Sequence, residues 1–367
     1  MKTAIRNLAL SIAVLFMCAS TVTAEDFDEK KELENQSRNF IMAKESVPLL
    51  KLVPGQGNAA ILDKTIEHFS MNRDSVGAIE TDGLRPDSIN TDNNSFIEYG
   101  IESCIASNNG VVLIVSGDGT KVQYMNEMGF EDIKKRNGKF KRNTGKISKN
   151  RLEALGRTFI ENSLSEFIKI DENEEIVPFN VIYEIDTEYN ANTEEKTESV
   201  TGNIVIFSRK VNGHHVIGKG SKISIMFAND ETPVAFRYDW PDYQAADMEQ
   251  KIISKENLIE RKGSLSIMKE SATDIDLVRF ECGYYDPGAM RRDDESIIQA
   301  ACAAFYHGKK EETTSAVMDI IPIGESDEVI SDPYWAASQK LTEEGDMCES
   351  SSDVNNIPLT DVDVESE

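Results

Sequence analysis

The dipeptide Asn212-Gly213 lies between two runs of strand-forming residues and constrains the fold more than any other feature of the sequence. Asn-Gly is the preferred pair for the centre of a type I′ turn, because both central positions require a positive φ. A two-residue turn also fixes the register of the strands that it joins, so Val211 should lie opposite His214 and Lys210 opposite His215. The sequence therefore predicts an antiparallel hairpin here.

The two histidines after this turn are candidates for a binding surface and not for a metal site. Successive side chains on a strand point to opposite faces, so His214 and His215 cannot both reach one metal ion. The next segment, Gly218-x-Gly220-Ser221, lacks the spacing and the Lys-Ser/Thr ending of a phosphate-binding loop. It predicts a glycine bend or bulge between strands. We therefore expect no metal or other cofactor, and we retain His214 and His215 as candidate binding residues.

The strands that follow end in an aromatic segment with the sequence "RYDWPDYQ". Val234, Phe236 and Tyr238 alternate with polar or small residues, which places them on one face of a strand. Two interpretations of the segment are open. Tyr238 and Trp240 either belong to a binding surface with the two histidines or form a strand end packed against the core.

Helical and strand patterns follow each other in a similar order twice along the chain. Asn58 and Ser148 each precede a segment with apolar residues at helical spacing, and strand-like runs follow both segments. This order predicts an α+β fold of two or three tandem units, each with a helix packed on an antiparallel sheet. The predicted divisions are an N-terminal α+β unit at 25–130, a basic linker at 131–146, a helix-and-sheet unit at 147–244, a strand-rich unit at 245–340 and an acidic, disordered tail at 341–367.

The first 24 residues have the pattern of a secretory signal peptide. Lys2 and Arg6 precede a short apolar run, and small residues lead to Ala24, the predicted cleavage site. The run is too short for a membrane span, and no later segment approaches the roughly 18 apolar residues that a span needs. We therefore expect a secreted or periplasmic protein without a membrane span.

The charge of the chain restricts the partners that it can bind. The net charge is −26, and cleavage after Ala24 would bring it to −28, because the removed segment has two basic and no acidic residues. Binding to nucleic acid depends on Lys and Arg side chains that neutralise phosphates, so the charge excludes nucleic acid as an expected partner. Anionic membrane surfaces are disfavoured for the same reason. The charge favours solubility outside the cytoplasm, or else a basic partner or a divalent cation.

Four cysteines remain after the predicted cleavage, and an even number in an exported protein indicates disulfides. Cys282 and Cys302 lie in two apolar, strand-like segments separated by a polar stretch. Antiparallel pairing of these segments would bring the two cysteines together, so the sequence predicts a Cys282–Cys302 disulfide. Two alternatives remain open: Cys104 pairs with Cys282 or Cys302 and leaves the other to Cys348, or Cys104 and Cys348 form a second bond beside Cys282–Cys302.

Residues 207–240 carry a resemblance to a known group of exported modules; they have the sequence "FSRKVNGHHVIGKGSKISIMFANDETPVAFRYDW". The pattern is similar to a hairpin of the PepSY and fungalysin-thermolysin propeptide-like group, and with the preceding helix it covers residues 147–242. The resemblance implies a cystatin-like fold, with a helix on an antiparallel sheet, and a role in restraining peptidases or binding other extracytoplasmic partners. His214-His215 depart from the pattern, which usually has Pro or hydrophobic residues there.

No familiar catalytic motif occurs in the sequence: His-Glu-x-x-His, Gly-x-Ser-x-Gly and Gly-x-Gly-x-x-Gly are all absent. The sequence therefore predicts an exported, non-enzymatic binding protein with a contact surface within residues 147–242. Its expected partner is a protein, with a peptidase as the concrete case. A secreted hydrolase of unrecognised class and a structural envelope protein are the alternatives.

Overall fold

The fold is described here from a computed structural model of the chain. The described residues are 46–71, 81, 84, 96–108, 110–126, 146–190, 195–260, 274–289, 292, 297–310 and 313–325. The predicted signal peptide with its cleavage site at Ala24, the basic linker up to residue 145 and the acidic tail lie outside the described residues.

Strands dominate the described part of the chain, and the helices are few. The helices are α1 (Asn58–Met71), α2 (Lys149–Phe159), which continues as a π-helical turn (Ile160–Leu164), and α3 (Lys255–Glu260). The strands are β1 (Ser46–Val53), β2 (Phe96–Tyr99), β3 (Ser103–Asn108), β4 (Val111–Ser116), β5 (Lys121–Asn126), β6 (Glu174–Asn190), β7 (Glu195–Val211), β8 (His214–Gly218), β9 (Lys222–Phe227), β10 (Pro233–Asp239), β11 (Asp242–Lys251), β12 (Asp274–Asp286), β13 (Ile297–Lys310) and β14 (Thr313–Pro322).

The strands form one mixed, 14-stranded sheet, so the predicted series of tandem, cystatin-like helix-on-sheet units is wrong. The hydrogen-bonded order is β11-β1-β13-β12-β8-β7-β9-β10-β5-β4-β3-β2, with β14 paired to β13 and β6 paired to β7. Strand β1 of the predicted N-terminal unit pairs with β13 of the predicted C-terminal unit, and β12 runs parallel to β8. Local alternation of residues indicates a strand but not its partner, which tertiary packing decides.

The hairpin predicted at Asn212-Gly213 is confirmed. Both residues have a positive φ, 53° and 81°, as a type I′ turn requires. Val211 lies opposite His214 and Lys210 lies opposite His215, which is the predicted register. The Asn-Gly pair thus predicts the turn and its register, although it does not predict the order of strands in the whole sheet.

The main hydrophobic core lies between helices α1 and α2 and one face of the sheet. Leu62 and Phe69 of α1 and Leu152 of α2 are buried there. Helix α2 approaches the sheet closely because residue 156 is a glycine: a Cβ at Gly156 would lie 2.5 Å from Cε2 of Phe207 on β7. The resulting layer of apolar side chains packs on strands β3, β4, β5, β6, β7, β9 and β10.

A second core surrounds the disulfide that the sequence predicts. Cys282 of β12 lies directly opposite Cys302 of β13, and the two residues form a disulfide with a Cα–Cα distance of 4.0 Å. Cys104 is a buried free thiol and bonds to neither Cys282 nor Cys302. Its alternative partner Cys348 lies outside the described residues.

Arg292 joins three parts of the sheet through a buried ionic cluster. Its Nη1 donates hydrogen bonds to both carboxylate oxygens of Asp286 at 2.7 and 2.8 Å, at the end of β12. Its Nη2 donates to Oγ1 of Thr120 at 2.6 Å, in the β4–β5 turn, and to the carboxylate of Asp239 at the end of β10. The Arg292 side chain is only 1% exposed. One guanidinium therefore connects segments from all three predicted units.

The segment Gly218-x-Gly220-Ser221, at the end of β8, contacts Asp286 of this cluster. The N–H of Gly220 donates to the backbone oxygen of Asp286 at 3.1 Å, and a Cβ at Gly220 would collide with the Asp286 carboxylate. The hydroxyl groups of Ser221 and Tyr243 donate to that carboxylate. Burial alone would raise the pKa of Asp286, but Arg292 and these hydrogen bonds outweigh it and hold the pKa below its usual range. The segment thus binds a carboxylate of its own chain.

Removal of the disulfide should destabilise the fold. The bond closes a loop of 20 positions, for which the chain-entropy estimate is about 3 kcal/mol. We expect the double variant Cys282→Ala/Cys302→Ala to lose about that much free energy of unfolding in urea titrations. The reductant-treated wild type should behave similarly, and a variant as stable as the oxidised wild type would contradict the expectation.

Arg292→Ala should lower the free energy of unfolding by about 3–5 kcal/mol, because it leaves Asp286 and Asp239 buried without their counter-charge. Arg151 provides a matched control, since it forms an ion pair with Glu231 in which the side chains are 54% and 37% exposed. Arg151→Ala should cost far less, because water screens an exposed pair. Comparable losses for the two variants in urea unfolding would argue against a special role for Arg292.

Candidate interaction surface

The aromatic part of the predicted binding surface lies in the core. Tyr238 is 3% exposed and Trp240 is 4% exposed. The ring of Tyr238 stacks on Phe236 at 6.4 Å, and Nε1 of Trp240 donates a hydrogen bond to the backbone oxygen of Lys169 at 3.0 Å. Neither side chain offers a contact surface, so this prediction is corrected: the segment is the end of a strand packed against the core.

The two histidines point to opposite faces of β8, as the alternation of strand residues requires. His214 is half-buried, with its ring edge-on to Tyr284 at 6.1 Å, whereas His215 is exposed. Although the surface of His215 is exposed, the protein around its ring partly desolvates it, and this effect and then the positive charges of Lys210 and Arg279 lower its pKa. Within the described ranges, no group of three or more His, Cys, Asp or Glu residues is placed to hold a metal ion.

Cationic side chains surround Phe179 on the face of the sheet that carries His215. Nζ of Lys222 lies 5.4 Å from the centre of the Phe179 ring, and the guanidinium of Arg279 lies 4.3 Å from it. Nζ of Lys222 donates to the backbone oxygens of Val216 and Gly220 at 2.8 and 3.2 Å, and Arg279 pairs with Glu281. These cations already have partners within the chain, so the cluster stabilises the sheet and does not form an open anion site.

The most exposed apolar surface in the described part of the chain lies at the other end of the sheet, on β2 and just after it. Six large apolar side chains are exposed in the described part of the chain, and three of them fall within six residues: Phe96 (47%), Tyr99 (52%) and Ile101 (95%). Glu98 and Glu102, between and after them, are also exposed. We call these five residues the edge patch. Exposed apolar side chains that cluster in this way are typical of interaction surfaces.

The edge patch is a sheet edge as well as an apolar surface. Strand β2 pairs with β3 on one side, and no described strand pairs with it on the other. Edge strands with unpaired backbone groups can accept a further strand from a partner. Phe96 and Glu98 share one face of β2, while Ile97 and Tyr99 share the opposite face, because strand side chains alternate.

The backbone of the edge patch is held in place although its side chains are exposed. Nδ2 of Asn58, at the start of α1, donates to the backbone oxygen of Gly100 at 2.8 Å. The residues that connect β2 to β3 also lie close to the β4–β5 turn, since a Cβ at Gly117 would be 2.5 Å from the backbone oxygen of Ile101. The Tyr99 hydroxyl donates to Oδ1 of Asp63 at 2.9 Å. A surface fixed in this way loses little conformational entropy on binding.

The edge patch is not predictable as a site from the local sequence. The segment "FIEYGIESCIA" has the composition of a strand, but nothing in its residues shows that the strand ends a sheet. An edge position depends on the order of strands that are distant in sequence. The exposed, charged residues Glu98 and Glu102 among apolar ones are the available signal, since charges are frequent on edge strands.

Comparisons with known proteins add one structural likeness. No family model matches the chain, and no curated protein matches it. Among solved structures, the chain is similar to the 1.45 Å crystal structure of an uncharacterized protein from Eubacterium rectale, with a TM-score of 0.43 and 10% identity over 77% of this chain and 86% of that chain. A TM-score at this level carries no argument about function. None of the helices in the described ranges is long and apolar enough to cross a membrane.

Lys222 should make stability depend on pH in the alkaline range. Burial lowers its pKa in the folded protein from 10.5 to about 8. The unfolded chain therefore binds more protons between these values, so the free energy of unfolding should rise as the pH increases from about 8. Lys222→Met should reduce this slope in urea titrations between about pH 7.5 and about pH 9.5, whereas Lys210→Met should keep it. Equal slopes in Lys222→Met and the wild type would refute this.

Proposed function

We propose that this protein is an exported, non-enzymatic binding protein that engages a protein partner through the edge patch. The observation that carries the proposal is the concentration of exposed apolar side chains on β2 and just after it, at an edge that no described strand covers, with Ile101 95% exposed. Burying one large apolar side chain contributes about 1.5–3 kcal/mol, and aromatic anchors often dominate the energy of an interface. Phe96, Tyr99 and Ile101 provide such anchors.

Export is supported by two separate features. The first 24 residues have the pattern of a signal peptide. The Cys282–Cys302 disulfide is the second feature, since such bonds persist mainly in oxidising compartments outside the cytoplasm. The proposed location is therefore the periplasm or the extracellular medium.

Restraint of a peptidase is the concrete form of this function. Its basis is the similarity of residues 147–242 to propeptide-like modules, which accompany or restrain peptidases. The contact surface proposed here lies on β2, outside that segment, because the aromatic residues of the segment are buried whereas those of the edge patch are exposed. An edge strand suits binding to an extended protein segment, since its backbone groups provide most of the hydrogen bonds.

The proposal can be tested by replacing the two outermost apolar side chains. We expect the double variant Phe96→Ser/Ile101→Ser to bind the natural partner at least about 30-fold more weakly, because anchor residues typically contribute about 2 kcal/mol or more. Ile170→Ser is the control, since Ile170 is also exposed (50%) but lies outside the patch. It should bind as the wild type does.

The partner for this test is identified by covalent capture. A photo-crosslinking residue at position 101 should capture one protein from the extracytoplasmic fraction of the source organism, whereas the same residue at position 170 should not. Undiminished affinity of the double variant, with the fold intact by circular dichroism, would refute the proposal.

A further inference from the structure

We infer that the partner presents to the edge patch an extended segment in which a Lys or Arg lies between apolar residues. The inference rests on the proposed function and specifies the chemistry of the partner. It follows from the positions of Glu98 on β2 and Glu102 just after it, from the absence of a described ion-pair partner for either, and from the charge of the whole chain.

The carboxylates of the edge patch are available for a partner. Glu98 and Glu102 are exposed, and no described basic side chain forms an ion pair with either of them. This distinguishes them from carboxylates such as Glu281, which pairs with Arg279, and Glu231, which pairs with Arg151. An incoming strand would thus meet two negative charges that no described basic side chain pairs with.

The charge of Glu98 restricts which residue a partner strand can place opposite it. Directly opposite side chains on antiparallel strands lie close together, and opposite charges there stabilise the pair while like charges destabilise it. The partner residue opposite Glu98 should therefore be Lys or Arg. On the other face, Ile97 packs on the main core and Tyr99 is exposed, so the neighbouring partner residues should be apolar. The partner segment should therefore place a Lys or Arg opposite Glu98, with an apolar residue on each side of it.

Two other occupants of the edge fit less well. A second copy of this chain would bring its own Glu98 and Glu102 to the same seam, and each copy carries a net charge of −26. The acidic segment at 341–367 would also meet these carboxylates with like charge. Like charges that face each other across a strand pair are unfavourable, so a basic partner is the occupant that the surface favours.

Synthetic peptides can test the inference with the full-length protein. The probes are an octapeptide of alternating Val and Lys, its counterpart with Glu in place of Lys, and a Val-Lys peptide of equal charge with a central Pro that cannot complete the strand pairing. Fluorescence anisotropy at low salt should show at least about fivefold tighter binding of the Val-Lys peptide than of either other probe. The preference should shrink at high salt, as screening requires.

Glu98→Lys should remove or invert the preference for the basic peptide. The matched control is Glu172→Lys, which makes the same change of charge at an exposed glutamate outside the patch. It should leave the preference nearly intact. Equal loss in both variants would mean that only the total charge attracts the peptide, and equal binding of the Val-Lys and Val-Glu peptides would also overturn the inference.

The remaining outcomes separate this inference from the proposed function. If sedimentation shows a dimer that Phe96→Ser disrupts, the occupant is a second copy and the inference is wrong. If the peptides show no preference but Phe96→Ser/Ile101→Ser still prevents capture of the natural partner, the edge patch keeps its function and only the partner chemistry is wrong. If the double variant captures the partner normally, the proposed function is wrong as well.

Discussion

The rest of the structure depends on the buried ion pairs that the Arg292 guanidinium forms with Asp286 and Asp239. The guanidinium lies between Asp286 and Asp239, which end β12 and β10, and it also binds Thr120 in the β4–β5 turn. Charges buried in this way are unfavourable unless each has a partner with good geometry. The three segments must therefore meet in one arrangement. Because residue 220 is a glycine, the backbone after β8 can approach the Asp286 carboxylate closely. The cluster thereby helps to hold β8 beside β12 as parallel strands in a mainly antiparallel sheet.

The same turn connects this cluster to the edge patch. Thr120 accepts a hydrogen bond from Arg292, and Oδ2 of Asp118 lies 3.5 Å from Nη2 of the same arginine. Gly117, in the same turn, lies against the backbone of Ile101. The loop that presents Ile101 is thus supported by a turn that the buried cluster holds. A binding surface supported by packed, hydrogen-bonded neighbours pre-orders its contacts, which favours affinity.

Local features of the fold were predictable from the sequence, whereas the features that depend on distant contacts were not. Asn212-Gly213 determined a turn and its register, and from that register the opposite orientations of His214 and His215. The pairing of Cys282 with Cys302 was predictable because the two residues lie on strands that follow each other in the sequence. The pairing of β1 with β13 joins residues more than 200 positions apart, and no local pattern encodes it. Tyr238 and Trp240 have the composition of a binding surface, but burial depends on the helices that cover them. The position of β2 at an edge has the same non-local origin.

Hydrogen–deuterium exchange of the β2 amides tests the central claim most directly. Residues 96–99 form β2, which pairs on one side within the described chain, so part of the backbone at 96–101 should exchange readily in the free protein. Addition of the captured partner should slow exchange in residues 96–101 more than anywhere else, because a bound strand would occupy the open edge. Protection confined to the face around His215, with no change at 96–101, would contradict the account.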